Sequence, residues 1–328
     1  MCSSKEKMLL TCVLINTLPV FVFIIKTQSE SEKMAQLKIA LEWFLNPDHL
    51  PLLAAQEASE DEIELIVPDD HYDGFAALAA GEVDIVVNEP LHLLEKHSAA
   101  MQSHGCFFET DGGVLLRDDV LSRLAQGESV KICSPVSNEV TDELCRRIVM
   151  VWAYQQGVDV QKEQIQVLEK GFDHITNLQN GADGAWLAFA NIEGVMVKEL
   201  GMPIIMVTTK DAGIPGFSAL ELIGQAQAAP EKQAAIARLV THMQEAVKTW
   251  QSHPEQALAL WNRHNPEPQA DAALTAAIVT DTLCRFETEI APSAQRWLSV
   301  WAYMQGLQVD IIDEEAYHAL FPSLEEAS

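Results

Sequence analysis

The chain has 328 residues with 48% hydrophobic and 21% charged side chains, long enough for two cored lobes and too apolar for a disordered chain. It carries 21 Lys and Arg against 48 Asp and Glu, a formal net charge of −27, which repels a phosphate backbone and argues against nucleic acid as a partner. The acidic residues are scattered and form no acidic tail, so the surplus reads as a solvated surface.

Residues 8–25 (MLLTCVLINTLPVFVFII) bear no charge, and Lys5, Lys7 and Lys26 flank them. This pattern fits a signal segment or a marginal membrane anchor of a periplasmic or otherwise extracytoplasmic protein. The alternative is a start at Met34 and a cytoplasmic protein, because strand-and-helix patterning begins only at residue 37. From there the spacing predicts strands at 37–41, 63–67 and 83–87 and helices at 50–58, 72–80 and 91–101, with Gly81 ending the second helix. Further strands are expected at 114–116, 130–133, 165–168, 184–189, 203–208 and 219–223, and helices at 139–156, 173–179 and 192–200. After Pro230 the chain reads as helices through Leu320; Trp297 and Trp301, one helical turn apart, read as core. Alternating strands and helices argue for an α/β fold.

Two segments share one grammar of helix, glycine and Asp-containing strand: 73–87 (DGFAALAAGEVDIVV) and 173–189 (DHITNLQNGADGAWLAF). One such unit in each of two lobes would place a ligand crevice outside the strand ends. The expected division is an N-terminal segment 1–36, a first lobe at 37–118 and 212–328, and a second lobe at 119–211, with Gly213, Ile214, Pro215 and Gly216 as a hinge.

Several segments in this order resemble the sulfonate-, nitrate- and thiamine-precursor-binding proteins, the SsuA/Thi5-like family: 37–56 (LKIALEWFLNPDHLPLLAAQ), 73–92 (DGFAALAAGEVDIVVNEPLH), 181–195 (GADGAWLAFANIEGV) and 211–224 (DAGIPGFSALELIG). The resemblance covers about residues 37–322 and implies a type II periplasmic-binding-protein-like fold with a ligand cleft between two lobes. The subgroup that handles the thiamine pyrimidine implies the site. Trp43 would stack on an aromatic heterocycle, and Asn46 and His49 would face it. Asn88 and His92 would follow the third strand, and Phe189 would form a wall. Glu193 would pair with the edge of an aminopyrimidine, a ring nitrogen beside an exocyclic NH₂, through two parallel hydrogen bonds. The blander readings are a core Trp43, a surface Glu193 at a helix entry, and Asn46 or Asp48 as a helix cap; Asp48 is assigned as a cap.

The family's pyrimidine synthases hold pyridoxal phosphate on a lysine and carry a cysteine-rich iron-binding run. Asn88 stands at the lysine place, and Cys2, Cys12, Cys106, Cys133, Cys145 and Cys284 form no such run. No cofactor is therefore expected, and binding is favoured over catalysis. His92, His97, His104 and Cys106 lack the spacing of a metal site, and Cys106 and Cys133 lack a basic partner that would mark a nucleophile. The resulting expectation is a solute-binding protein that carries a thiamine pyrimidine precursor to an ABC permease. The alternatives are a cytoplasmic enzyme or sensor on the same fold, and a binding protein for a sulfonate, nitrate or other small anion.

Overall fold

In the computed structural model, alternation of side chains starts the fold: in β1 (Gln36–Ala40) Gln36 is exposed while Leu37 and Ile39 are wholly buried. The structure describes residues 34–68, 72–95, 100–265, 271–307 and 311–322. The apolar segment at 8–25 and His97 lie outside the described residues. β1 pairs in parallel with β2 (Glu62–Ile66) and β3 (Ile85–Asn88), and β3 pairs antiparallel with β10 (Ala219–Gln225), which holds β4 (Met101–Glu109) on its far side. This first sheet has the order β2-β1-β3-β10-β4. The second sheet has the order β7-β6-β8-β5-β9, built from β5 (Gly112–Arg117), β6 (Val130–Ser134), β7 (Ile165–Glu169), β8 (Gly184–Phe189) and β9 (Ile204–Thr208). Helices cover both sheets, giving two α/β lobes.

The helix signals are local. Asp73 caps α2 (Gly74–Ala80) by accepting from the Ala76 N–H at 3.1 Å, and Gly81 ends it with φ 73°. α1 (Leu50–Ala58) packs against the long α8 (Pro230–Trp250) beneath the first sheet. α3 is Pro90–Glu95, and α4 (Val120–Ala125), α5 (Glu139–Gln155) and α6 (His174–Gln179) belong with the second sheet. The chain passes α7 (Val195–Glu199) and ends in α9 (Pro254–His264), α10 (Ala272–Leu283), α11 (Ala294–Gly306) and α12 (Glu314–Leu320). α10 packs on α7, so the C-terminal helices also touch the second lobe.

Three expectations need correction. The helix expected at 91–101 stops at Glu95, and Met101 opens β4. That strand escapes a period-two reading because its register against β10 shifts twice and Gly105 takes φ 122° against the Ala291 backbone. The chain crosses between sheets at Thr110 and Asp111, so β5, which a boundary at 118 leaves with the first lobe, is hydrogen-bonded into the second sheet. The helix expected at 192–200 is a π-helical turn (Ala190–Gly194) followed by α7.

Trp297 is core, as its spacing suggests, and its indole N–H donates to the buried Glu221, which also accepts from Ser103 Oγ at 2.6 Å. Arg296 lies beside Cys106, with Nη1 to Sγ at 3.7 Å, so that cysteine does have a basic neighbour; burial nevertheless pushes its thiol well up, against nucleophile behaviour. The four cysteines among the described residues are free.

Gly113 is required where the lobes join. A Cβ there would sit 2.1 Å from the Val207 carbonyl oxygen, whereas one on Gly306 would meet nothing within 4 Å. Gly113→Ala should therefore cost about 1–3 kcal/mol through overpacking. Gly306→Ala should be neutral or slightly stabilising. Urea unfolding of both variants checks this; equal midpoints would contradict it.

Candidate functional site

The loop after β1 turns through Glu42, Trp43 and Asn46 into a 3-10 turn (Pro47–His49) that leads straight into α1. Asn46 is the cap: its Oδ1 accepts from the Asp48 N–H at 2.8 Å and its amide donates to the Phe44 carbonyl at 3.3 Å. His49 is wholly buried, with Nδ1 accepting from the Asn46 N–H at 3.2 Å and Nε2 lying 3.0 Å from Glu42 Oε1. Burial works against its imidazolium, but the Glu42 carboxylate outweighs it and raises the His49 pKa above its usual value. Asn46 and His49 thus build the loop rather than face open space.

Asp48 is the larger correction. Instead of capping, its buried Oδ1 accepts from Asn191 Nδ2 at 2.6 Å across the two lobes. Asn191 is itself wholly buried; its Nδ2 also donates to Thr282 Oγ1 at 3.0 Å, and its Oδ1 accepts from Thr110 Oγ1 at 2.9 Å. Asn191 sits in the π-helical turn that follows β8, with Phe189 just before it and Glu193 just after. Glu193 Oε2 accepts from the Phe189 N–H at 2.9 Å, and burial raises its carboxyl pKa to about 7. Burial likewise raises Asp48 to about 7, against His49 and Asn191, with the Glu42 and Glu193 charges adding to the rise.

At the end of β3, Asn88 is half-buried and its Oδ1 accepts from the Glu89 N–H at 2.9 Å. Burial, with Glu42 nearby, raises Glu89 to about 8. His92 is exposed on α3. Across the cleft, Phe172, which follows β7, meets Trp43 with ring centroids 3.8 Å apart and planes at 43°. His174, in the first turn of α6, is centred 6.0 Å from Phe172.

The structure thus brings Trp43 and Phe172 together and couples Glu42, Asp48, Glu89 and Glu193 through space. Of the expected residues, Trp43, Phe189, Glu193 and Asn88 stand at strand ends or in the turns after them, Asn46 and His49 support the β1 loop, and His92 is exposed on α3. Glu42, Asp48, Glu89, Phe172, His174 and Asn191 were not expected. Glu42 and Glu89 adjoin expected residues, and Asn191 lies within a quoted motif, so adjacency was the only signal for them. Among the described residues no cluster suits a metal ion, and no helix is long and apolar enough to cross a membrane.

Residues 46–257 match the NMT1/THI5 like family model, and the chain belongs to that family. Its structure is similar to the ligand-binding component of an ABC-type import system from Staphylococcus aureus, with TM-score 0.62, 11% identity and coverage of 86% of this chain and 96% of that one. It is also similar to the periplasmic aliphatic sulphonate binding protein SsuA from Escherichia coli, with TM-score 0.58, 16% identity and coverage of 83% and 91%. A third is the Candida albicans CA3427 gene product, described as having the generic periplasmic binding protein fold, with TM-score 0.54, 18% identity and coverage of 87% and 94%. These likenesses establish the two-lobed periplasmic-binding-protein fold. No curated protein sequence matches the chain.

Two outcomes follow. Asn191→Ala leaves Asp48 buried without its donor and should cost about 2–4 kcal/mol in denaturant unfolding; a loss below about 0.5 kcal/mol would remove Asn191 from the junction. Asp48 holds its proton to about pH 7 when folded but only to about 3.8 when unfolded. The folded chain binds more protons in that window, so stability falls as pH rises from about 4 to about 7. Asp48→Asn should flatten the fall between about pH 4 and 7 by on the order of 1 kcal/mol or more. Parallel thermal midpoints for parent and variant would refute the assignment.

Proposed function

We propose that the chain is a solute-binding protein that holds an aminopyrimidine of the thiamine-precursor type between its lobes and passes it to an ABC permease. The observation that carries this reading is the charge at the strand ends. Glu42, Asp48, Glu89 and Glu193 lie there; burial is the main cause of the raised Asp48, Glu89 and Glu193 carboxyls, the charges acting beside it are Glu42, Glu193 and His49, and no Lys or Arg is among them. A sulfonate or nitrate needs the opposite: Arg, Lys or exposed N–H groups.

The pairing chemistry suits an aminopyrimidine. A neutral Glu193 carboxyl can donate to a ring nitrogen and accept from the adjacent NH₂; an ionised Glu193 makes the same two bonds to a protonated ring. A carboxyl pKa of about 7 makes either form accessible near neutrality. Trp43 and Phe172 supply flat apolar faces that an aromatic ring can contact. A Schiff-base enzyme is disfavoured because Asn88 offers no amine. The uncharged segment at 8–25 favours an exported or anchored protein over a cytoplasmic one.

One groove among the described residues does hold cations. It measures 310 Å³ and is lined by Lys210 and Arg285 together with Glu109, Asp111 and Glu287. Lys210 already pairs with Asp111 at 2.9 Å, and acidic residues outnumber basic ones around it, so it is a poor anion site.

Native mass spectrometry and titration calorimetry test the proposal. The parent should bind 4-amino-5-hydroxymethyl-2-methylpyrimidine and leave alkanesulfonates unbound. Glu193→Gln should lose about 1–3 kcal/mol, roughly tenfold or more in affinity. Tight binding of an alkanesulfonate with none of the aminopyrimidine would overturn the ligand assignment while leaving the fold intact.

A further inference from the structure

Two unfavourable features meet beside Phe172. The first is at His174, which is only 1% exposed. Its Nε2 lies 3.3 Å from the Leu187 carbonyl oxygen. A carbonyl can only accept, so Nε2 carries the ring proton and Nδ1 is left as a lone-pair acceptor. That Nδ1 is buried and has no hydrogen-bond partner. Burial also lowers the His174 pKa, which keeps the ring neutral and the acceptor intact.

The second feature is the residue that orients the ring. Leu187 takes φ +60°, the one non-glycine residue with a positive φ among those described. It sits where the register between β5 and β8 shifts, so Gly113 faces Ala188 and Val114 faces Trp186 while Leu187 has no opposite number. A leucine in this region is strained, and a buried unpaired acceptor is costly; folds keep such costs together where function requires them. Both lie close to the cleft, since His174 is centred 6.0 Å from Phe172 and Phe172 is centred 3.8 Å from Trp43. The Trp43 indole N–H is likewise buried without a partner. A ring with an unpaired acceptor and a ring with an unpaired donor are therefore both neighbours of Phe172.

We propose that His174 determines specificity in the interlobe site, with Nδ1 accepting a hydrogen from the ligand's amino group and the Leu187 carbonyl fixing the tautomer. The assignment rests on the aminopyrimidine reading. Glu193 engages the ring nitrogen and one N–H of the amine, and His174 takes the second N–H. A ligand with a methyl group in place of the amine forfeits one bond to Glu193 and one to Nδ1, and the second of these is the share of the discrimination that His174 supplies.

Calorimetry with 4-amino-2-methylpyrimidine and 2,4-dimethylpyrimidine tests it on the parent, His174→Asn and His174→Gln. The Asn amide reaches the place of Nδ1, whereas the Gln amide reaches that of Nε2. The parent should prefer the amine. His174→Asn should keep that preference within about threefold, and His174→Gln should lose about tenfold of it or more. Unchanged preference in His174→Gln, with the parent still binding the amine, overturns the role of His174 alone. A parent that binds neither pyrimidine overturns the ligand reading and this assignment with it. Thermal melts establish that the variants are folded. If His174→Gln does not fold, ¹⁵N shifts of the parent's histidines decide: one Nδ1 resonance should move with the amine and not with the dimethyl compound, and identical spectra with both would refute the proposal.

Discussion

The arrangement of the site depends on one buried amide. Asn191 is wholly enclosed, and its two donor hydrogens and its oxygen are matched to Asp48, Thr282 and Thr110. Those three come from the first strand-end loop, from α10 and from the crossover between sheets. A buried polar group must be paired, and Asn191 can be paired only when all three segments are in place. The amide therefore sets the β1 loop against the π-helical turn, and with it the approach of Trp43 to Phe172. A hydrophobic residue at this position could fill the volume but could not specify the register between the segments.

The acidity of the cleft follows from that docking. Bringing the β1 loop to the end of β8 places Asp48 near Glu193, and Glu42 lies near both Asp48 and Glu89. Burial raises the Asp48, Glu89 and Glu193 carboxyls toward neutrality, and the neighbouring carboxylates add to the rise at Asp48 and Glu89. The fold alone is compatible with anions as well as with amines.

Much of the fold was legible because its signals are local. The predicted strand at 184–189 matches β8 residue for residue, and the helix at 50–58 matches α1. Gly81 announces a left-handed helix stop and takes one. Where reading failed, long-range geometry had overridden the local pattern. β4 follows the bulges demanded by β10, and the crossover at Thr110 is visible only as a change of pairing partner. The site divided in the same way. The positions of Trp43 and Glu193 after strands, and of Phe189 at the end of one, are legible in the sequence. Asp48 was misread because an Asp beside a helix start is most often a cap, and nothing in the sequence reveals a partner 143 positions away. Phe172 and His174 carry no local signal either, because the contact that joins them to the site is made to Trp43 on the other lobe.

The second lobe's contribution has a common cause in β8. Its bulge at Leu187 turns a carbonyl toward His174, and the π-helical turn after Phe189 gives Glu193 the backbone N–H that anchors it. Each is an irregularity that a plain strand followed by a plain α-helix would lack. Regular hydrogen bonding uses up backbone groups, whereas a bulge or a wide turn releases some of them to orient side chains. His174 and Glu193 are held by such released groups, one by a carbonyl and the other by an N–H. Leu187 and Phe189, two positions apart at the end of β8, thus orient a neutral imidazole and a carboxyl whose pKa burial has raised.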